Sequence, residues 1–167
     1  MQSSASLPSQ TAQSQTQATR QFISFTIGDE EYGVDIMAIR EIKGWVASTE
    51  LPNTPEYMRG VINLRGAIVP IFDLRSRFGG GRTQASARHV IIVVSVHERV
   101  IGLLVDAVAD IITVATSDIQ PVPEMDQHGH IGFLTGLVTV EGRMVALLDL
   151  HQLFDSELIA DAATAAA

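Results

Sequence analysis

The chain contains no cysteine. That excludes a disulfide framework, a thiol nucleophile and any cysteine-ligated zinc or iron–sulfur site. Aromatic residues are scarce, nine in 167, so there is little ring surface on which bases could stack. Basic side chains are outnumbered by acidic ones, eleven to nineteen, for a formal charge of −8. Such a chain repels a phosphate backbone, which argues against general nucleic-acid binding. No apolar stretch approaches the ~20 residues that cross a bilayer. The N-terminus lacks the basic and apolar regions of a signal peptide. Together these absences point to a soluble cytoplasmic protein of one domain, or of two very small ones sharing a core.

Residues 1–20 are mostly Ser, Gln, Thr and Ala, with Arg20 as the only charge. They carry too little apolar surface to offset the entropy of ordering them and read as a disordered tail. Residues 159–167 form an alanine-rich tail, able to extend a helix that starts near Leu150 with Asp149 as its N-cap. The folded part is expected over residues 21–158.

An internal repeat is the strongest signal. Gly60–Phe78 lies without gaps over Gly136–Phe154, and six of nineteen positions are identical: two glycines, a valine, the Asp-Leu pair and the final Phe. A weaker match sets Phe22–Ile42 over Ile91–Ile111, pairing Gly33 with Gly102 and Ala38 with Ala107. Two copies of one unit follow, 22–78 and 89–154, joined by a Gly79–Arg88 stretch whose composition reads as a flexible linker. Each copy reads as β: strands at Phe22–Ile27, Tyr32–Asp35, His89–Val96 and Val100–Val105, and hairpins turning at Arg65-Gly66 and Glu141-Gly142. Short helical turns are expected near Ile36–Ile42, Asp106–Ile111, Asp73–Phe78 and the C-terminus. Val90-Ile-Ile-Val-Val94 does not alternate, so that strand should be covered on both faces. A unit of ~60 residues is marginal alone. The expected fold is all-β: two packed five-stranded SH3-like barrels with an apolar core between them. One larger barrel or sandwich of about ten strands is the alternative.

Candidate chemistry is sparse. His128-Gly-His130 has no third ligand nearby and reads as a solvated loop. Gly79-Gly-Gly81 lacks the Gly-Lys-Ser/Thr of a phosphate-binding loop. Asp106 and Asp110 would share a helical face, but helix N-terminal charge explains them better than acid–base work. Asp73 and Asp149 recur at one repeat position, which argues for capping. Trp45 reads as a core or interface anchor. No nucleophile elbow or Ser/His/Asp set is present. No cofactor, no metal and no catalytic residue is expected, and the module reads as one for interaction.

Phe25–Ile36, Glu41–Trp45, Leu51–Pro55, Gly60–Gly66 and Val69–Arg75, continued by Gly102–Val108 and Phe133–Gly136, resemble the CheW family of chemotaxis coupling proteins. The Asn63-Leu-Arg-Gly66 stretch followed by Val69-Pro-Ile-Phe-Asp-Leu-Arg75 is long and specific. The resemblance implies a non-enzymatic adaptor linking the cytoplasmic tips of methyl-accepting chemoreceptors to the regulatory domain of the CheA histidine kinase, cytoplasmic and recruited to membrane-associated receptor arrays. It further implies that receptor helices dock between the barrels, with Ile39, Glu41, Asn63 and Arg65 at the site and Val108 opposite. The kinase is implied to meet the barrel ends, at residues the sequence does not single out. The competing reading, a tandem SH3-like module for nucleic acid or a small ligand, would need a basic stripe with aromatics.

Overall fold

A computed structural model of the chain describes residues 18–123 and 133–154. His128 and His130, and all of the tails except Ala18–Arg20, lie outside them. Among the described residues ten strands run in chain order: β1 Thr19–Ile27, β2 Glu30–Asp35, β3 Ile39–Gly44, β4 Met58–Leu64, β5 Ala67–Asp73, β6 Val90–Val96, β7 Arg99–Val105, β8 Ala107–Ala115, β9 Leu134–Val140 and β10 Arg143–Leu148. Two single-turn helices, α1 Leu74–Arg77 and α2 Leu150–Leu153, follow β5 and β10 at equivalent repeat positions.

The strands form two five-stranded sheets, ordered β8-β1-β2-β10-β9 and β3-β6-β7-β5-β4. The repeat units therefore exchange strands. Each opening hairpin (β1-β2, β6-β7) sits in a sheet with the closing hairpin of the other unit (β9-β10, β4-β5). The seams are the parallel pairs Gly33↔Leu147 and Ile71↔Gly102. Gly33 and Gly102, which the weaker repeat match aligns, thus occupy equivalent seam positions. Isolated bridges Thr49↔Val61 and Gln120↔Leu137 bring the two edges of each sheet together, as in a small SH3-like barrel.

Three apolar clusters result. One is internal to each sheet: Phe22, Ile112, Val138 and Leu147 in the first, Ile62, Val69, Ile91 and Leu104 in the second. The third and largest lies between the sheets and takes Phe25, Phe72, Ile92, Val94, Leu103, Leu150 and Phe154. The two faces of β6 serve different cores, Ile91 and Val93 inside the second sheet and Ile92 and Val94 between the sheets. That is why Val90–Val94 is apolar without alternation. The few aromatic residues concentrate here, with Phe72 and Phe154 ring centroids 4.8 Å apart and Tyr32 5.1 Å from Phe78.

The pseudo-symmetry extends to hydrogen bonds. Asp73 N–H donates to the Tyr57 carbonyl and Asp149 N–H to the Phe133 carbonyl, each at 2.7 Å. Arg77 bridges the two copies. Its guanidinium carbon lies 5.1 Å from the Tyr57 ring centroid and 4.4 Å from that of Phe133, and it donates to the Leu153 carbonyl at 3.0 Å. The hairpin turns are as their sequences require: Arg65 and Gly66, like Glu141 and Gly142, all have positive φ, the type I′ arrangement that matches strand twist.

Several expectations need correction. Thr19 and Arg20, expected in the tail, belong to β1 and pair with Ala115 and Val114. Ile36–Ile42 is helical only as a 3-10 turn over Ile36–Ala38, capped by Asp35, before β3 begins. Ala107–Ile111 is strand, because β8 finds in β1 a partner along its whole length, and tertiary pairing overrides local pattern. The 79–88 connection is fastened rather than loose. Thr83 is buried, donating through both its backbone N–H and its hydroxyl to Asp73 at 2.7 Å, and Ala85 packs on the second sheet's core.

Candidate functional site

In the second sheet β3 and β4 are the two edges that the Thr49–Val61 bridge draws together. Across that seam Arg65, in the β4–β5 turn, is ion-paired with Glu41 of β3. The arginine's hydrogen bond holds the Glu41 carboxyl below the usual carboxylate range, and the pairing raises the Arg65 guanidinium in turn. Both charges are kept at any physiological pH. Asn63 stands beside them with a local task, its Oδ1 accepting the Gly66 N–H at 2.9 Å. That contact fixes the turn and so the direction in which Arg65 leaves it.

Ile39 and Val108 come from different sheets, β3 and β8, yet both pack half-buried against the cluster between the sheets. The sequence-predicted residues therefore fall into a polar set, Glu41, Asn63 and Arg65, and an apolar pair, Ile39 and Val108, bordering the common core. Met37 was not singled out from sequence. It lies 88% exposed on the Ile36–Ala38 turn, where the Asp35 carboxylate accepts its N–H at 2.8 Å and Arg20 clamps Asp35 at 2.7 Å. The available signal was a methionine following an Asp cap in a segment too short to bury it.

A second charged group lies at the β7–β8 junction. Asp106 accepts from Gly28 N–H at 2.7 Å and from Arg75 at 2.6 Å, and His89 Nε2 stands 3.5 Å away. Burial works against this carboxylate, but the Gly28 N–H, the Arg75 guanidinium and His89 together outweigh it and hold its carboxyl below the ordinary aspartate value. The unfolded chain thus takes up this proton more readily than the folded one. The stabilising contribution is complete above about pH 5 and is lost as pH falls through the ordinary carboxylate range to the folded value. Asp106→Asn should therefore lose less stability than wild type between neutral pH and pH ~3.5, read as urea midpoints. Parallel losses would remove Asp106 from the acid response.

Among the described residues no group of three or more His, Asp or Glu is placed to hold a metal, and no helix is long and apolar enough to cross a membrane. Residues 21–158 match the family model for the CheW-like domain. The chain belongs to the CheW family. Chemotaxis protein CheW of Rhizobium meliloti (strain 1021) is 49% identical over 142 residues, 85% of this chain and 92% of the relative. Chemotaxis protein CheW of Klebsiella aerogenes is 40% identical over 141 residues, 84% and 85% of the two chains. Among solved structures, the scaffolding protein TtCheW from Thermoanaerobacter tengcongensis superposes with a TM-score of 0.75 at 35% identity, covering 83% of this chain and 89% of that one. This CheW-family chain is thus a chemotaxis protein of a scaffold family, built on the two-sheet fold that its repeats suggested.

Proposed function

We propose that this chain is a non-catalytic adaptor that couples chemoreceptor cytoplasmic tips to the CheA histidine kinase. The reading is carried by membership of a chemotaxis scaffold family over residues 21–158, joined to a surface suited to a helical partner. The Arg65–Glu41 pair offers directional hydrogen bonds to carboxylate, amide or backbone groups. Ile39 and Val108 supply apolar contact where the two sheets meet. The chain's charge of −8 speaks against the nucleic-acid alternative.

A kinase contact has support of another kind. Exposed large apolar residues recur at equivalent repeat positions, Ile42 with Ile111 and Ile68 with Met144, so each sheet presents one member of both pairs. Apolar side chains left outside on both sheets suit a partner built from similar barrels, because interface energy concentrates in desolvated apolar patches.

The test is direct binding to a receptor cytoplasmic tip and to the kinase regulatory domain. Arg65→Ala should weaken receptor-tip binding roughly ten- to a hundredfold, the usual loss for a charge-assisted bond. The side chain is 74% exposed, so the melting temperature should barely move. Isotherms matching wild type would return Arg65 to an ordinary turn residue. Failure of the unmodified protein to bind either partner would overturn the adaptor reading itself.

A further inference from the structure

A cavity of about 440 Å³ opens between α1, the 79–89 connection and the β7–β8 junction. Its lining includes Arg75, Arg82 and Arg88 with His89, against one carboxylate, Asp106. In a chain of charge −8, this is a local excess of positive charge. We propose that it binds a phosphoryl group carried by a small ligand without an aromatic ring.

Asp106 is already committed to Arg75 and to the Gly28 N–H, which leaves the outer guanidinium groups to a ligand. Arg82 meets Glu50 only at 3.4 Å, with both side chains well exposed; such pairs contribute little and are readily exchanged. Among the described residues no acidic group lies within ion-pair distance of Arg88. The surrounding frame is held in place beforehand. Thr83 is fixed by two hydrogen bonds to buried Asp73. The His89 ring is held at Nδ1 by the Ser86 N–H at 3.1 Å, leaving Nε2 on the Asp106 side. Planar guanidinium groups converging from separate segments match the oxygens of a phosphoryl group better than a single carboxylate. The volume falls in the range of small-molecule sites, ~300–1,000 Å³, and exceeds what inorganic phosphate fills. Among the described residues the lining contains no Phe, Tyr or Trp, and the His89 imidazole is held between Ser86 and Asp106 with little of it exposed, so no aromatic face stands free to stack a nucleobase.

The experiment is calorimetric titration of the full chain, at fixed ionic strength, with inorganic phosphate, pyrophosphate and ATP. Saturable binding of pyrophosphate is expected, tighter than phosphate, with ATP within about threefold of pyrophosphate because the base adds no contact. Arg82→Gln and Arg88→Gln should each weaken pyrophosphate roughly five- to tenfold. Arg99→Gln, at the start of β7 and outside the cavity lining, should leave it unchanged. Absence of saturable binding, equal losses in all three variants, or ATP binding far more tightly than pyrophosphate would each overturn the proposal.

Discussion

Asp73→Ala is expected to destabilise the protein by about 3–5 kcal/mol, the range for removing one partner of a buried ion pair. Asp73 is fully buried and accepts from the Thr83 N–H and hydroxyl, from the Ser76 N–H and from Arg59. Without it, Arg59 would keep the Thr83 carbonyl at 2.6 Å and the face of Trp45, but its charge would be unpaired. Its Nε already lacks a partner among the described residues. The repeat counterpart Asp149 only caps α2, accepting from His151 and Gln152 N–H groups. Asp149→Ala should therefore cost about 1 kcal/mol, the usual price of a lost cap. Urea unfolding of the two variants side by side separates the roles. Equal losses would mean that the buried network adds nothing beyond capping.

Gly60→Ala should be comparably damaging, at least about 3 kcal/mol, through backbone collision and strain combined. A Cβ at Gly60 would stand 2.2 Å from the Thr49 carbonyl oxygen, and its φ of +139° is one that side chains rarely adopt. Nothing flexible can yield there, since the obstacle is the chain that closes the second sheet. Gly66→Ala is the internal control. Its φ is also positive, but none of the described residues comes within 4 Å of the added methyl, so only backbone strain of about 1–2 kcal/mol is expected. Denaturant midpoints decide the matter. A Gly60→Ala midpoint near wild type would show that the Thr49 segment moves aside freely.

Of the two glycine positions shared by the main repeat, the one at Gly60 and Gly136 is explained by the same crossing. Gly136 meets Ile119 and the Gln120 carbonyl where Gly60 meets Thr49. The repeat was legible because both copies carry identical local tasks: a glycine under a crossing chain, a type I′ turn, an Asp cap and a terminal Phe in the central core. The two-sheet fold followed from it. The exchange of hairpins between units was not legible, because alternation and turn chemistry are satisfied whichever hairpin lies alongside. Nor was β8, whose outward-facing residues show no strand alternation and whose partner lies some 90 residues away. The 79–88 connection misled by composition, since one buried threonine fastens it. Glu41, Asn63 and Arg65 are singled out only by motif resemblance, and the structure adds that they share one patch. Their pairing across a sheet seam leaves no mark in local sequence.

The exchange of hairpins also sets a timetable. β2 hydrogen-bonds to β10, with Gly33 opposite Leu147, and β1 pairs along β8. The strands synthesised first therefore flank the strands synthesised last. During translation β1 and β2 can form only an isolated hairpin, which is marginal in water, until nearly the whole chain has left the ribosome. The second sheet draws on residues 39–105 alone and can assemble earlier. The nascent chain is thus a half-built molecule in which Phe22 lacks Ile112, Val138 and Leu147, the partners of its cluster, the kind of species that aggregates or needs a chaperone. Such non-local pairing also slows folding relative to helical proteins of the same size.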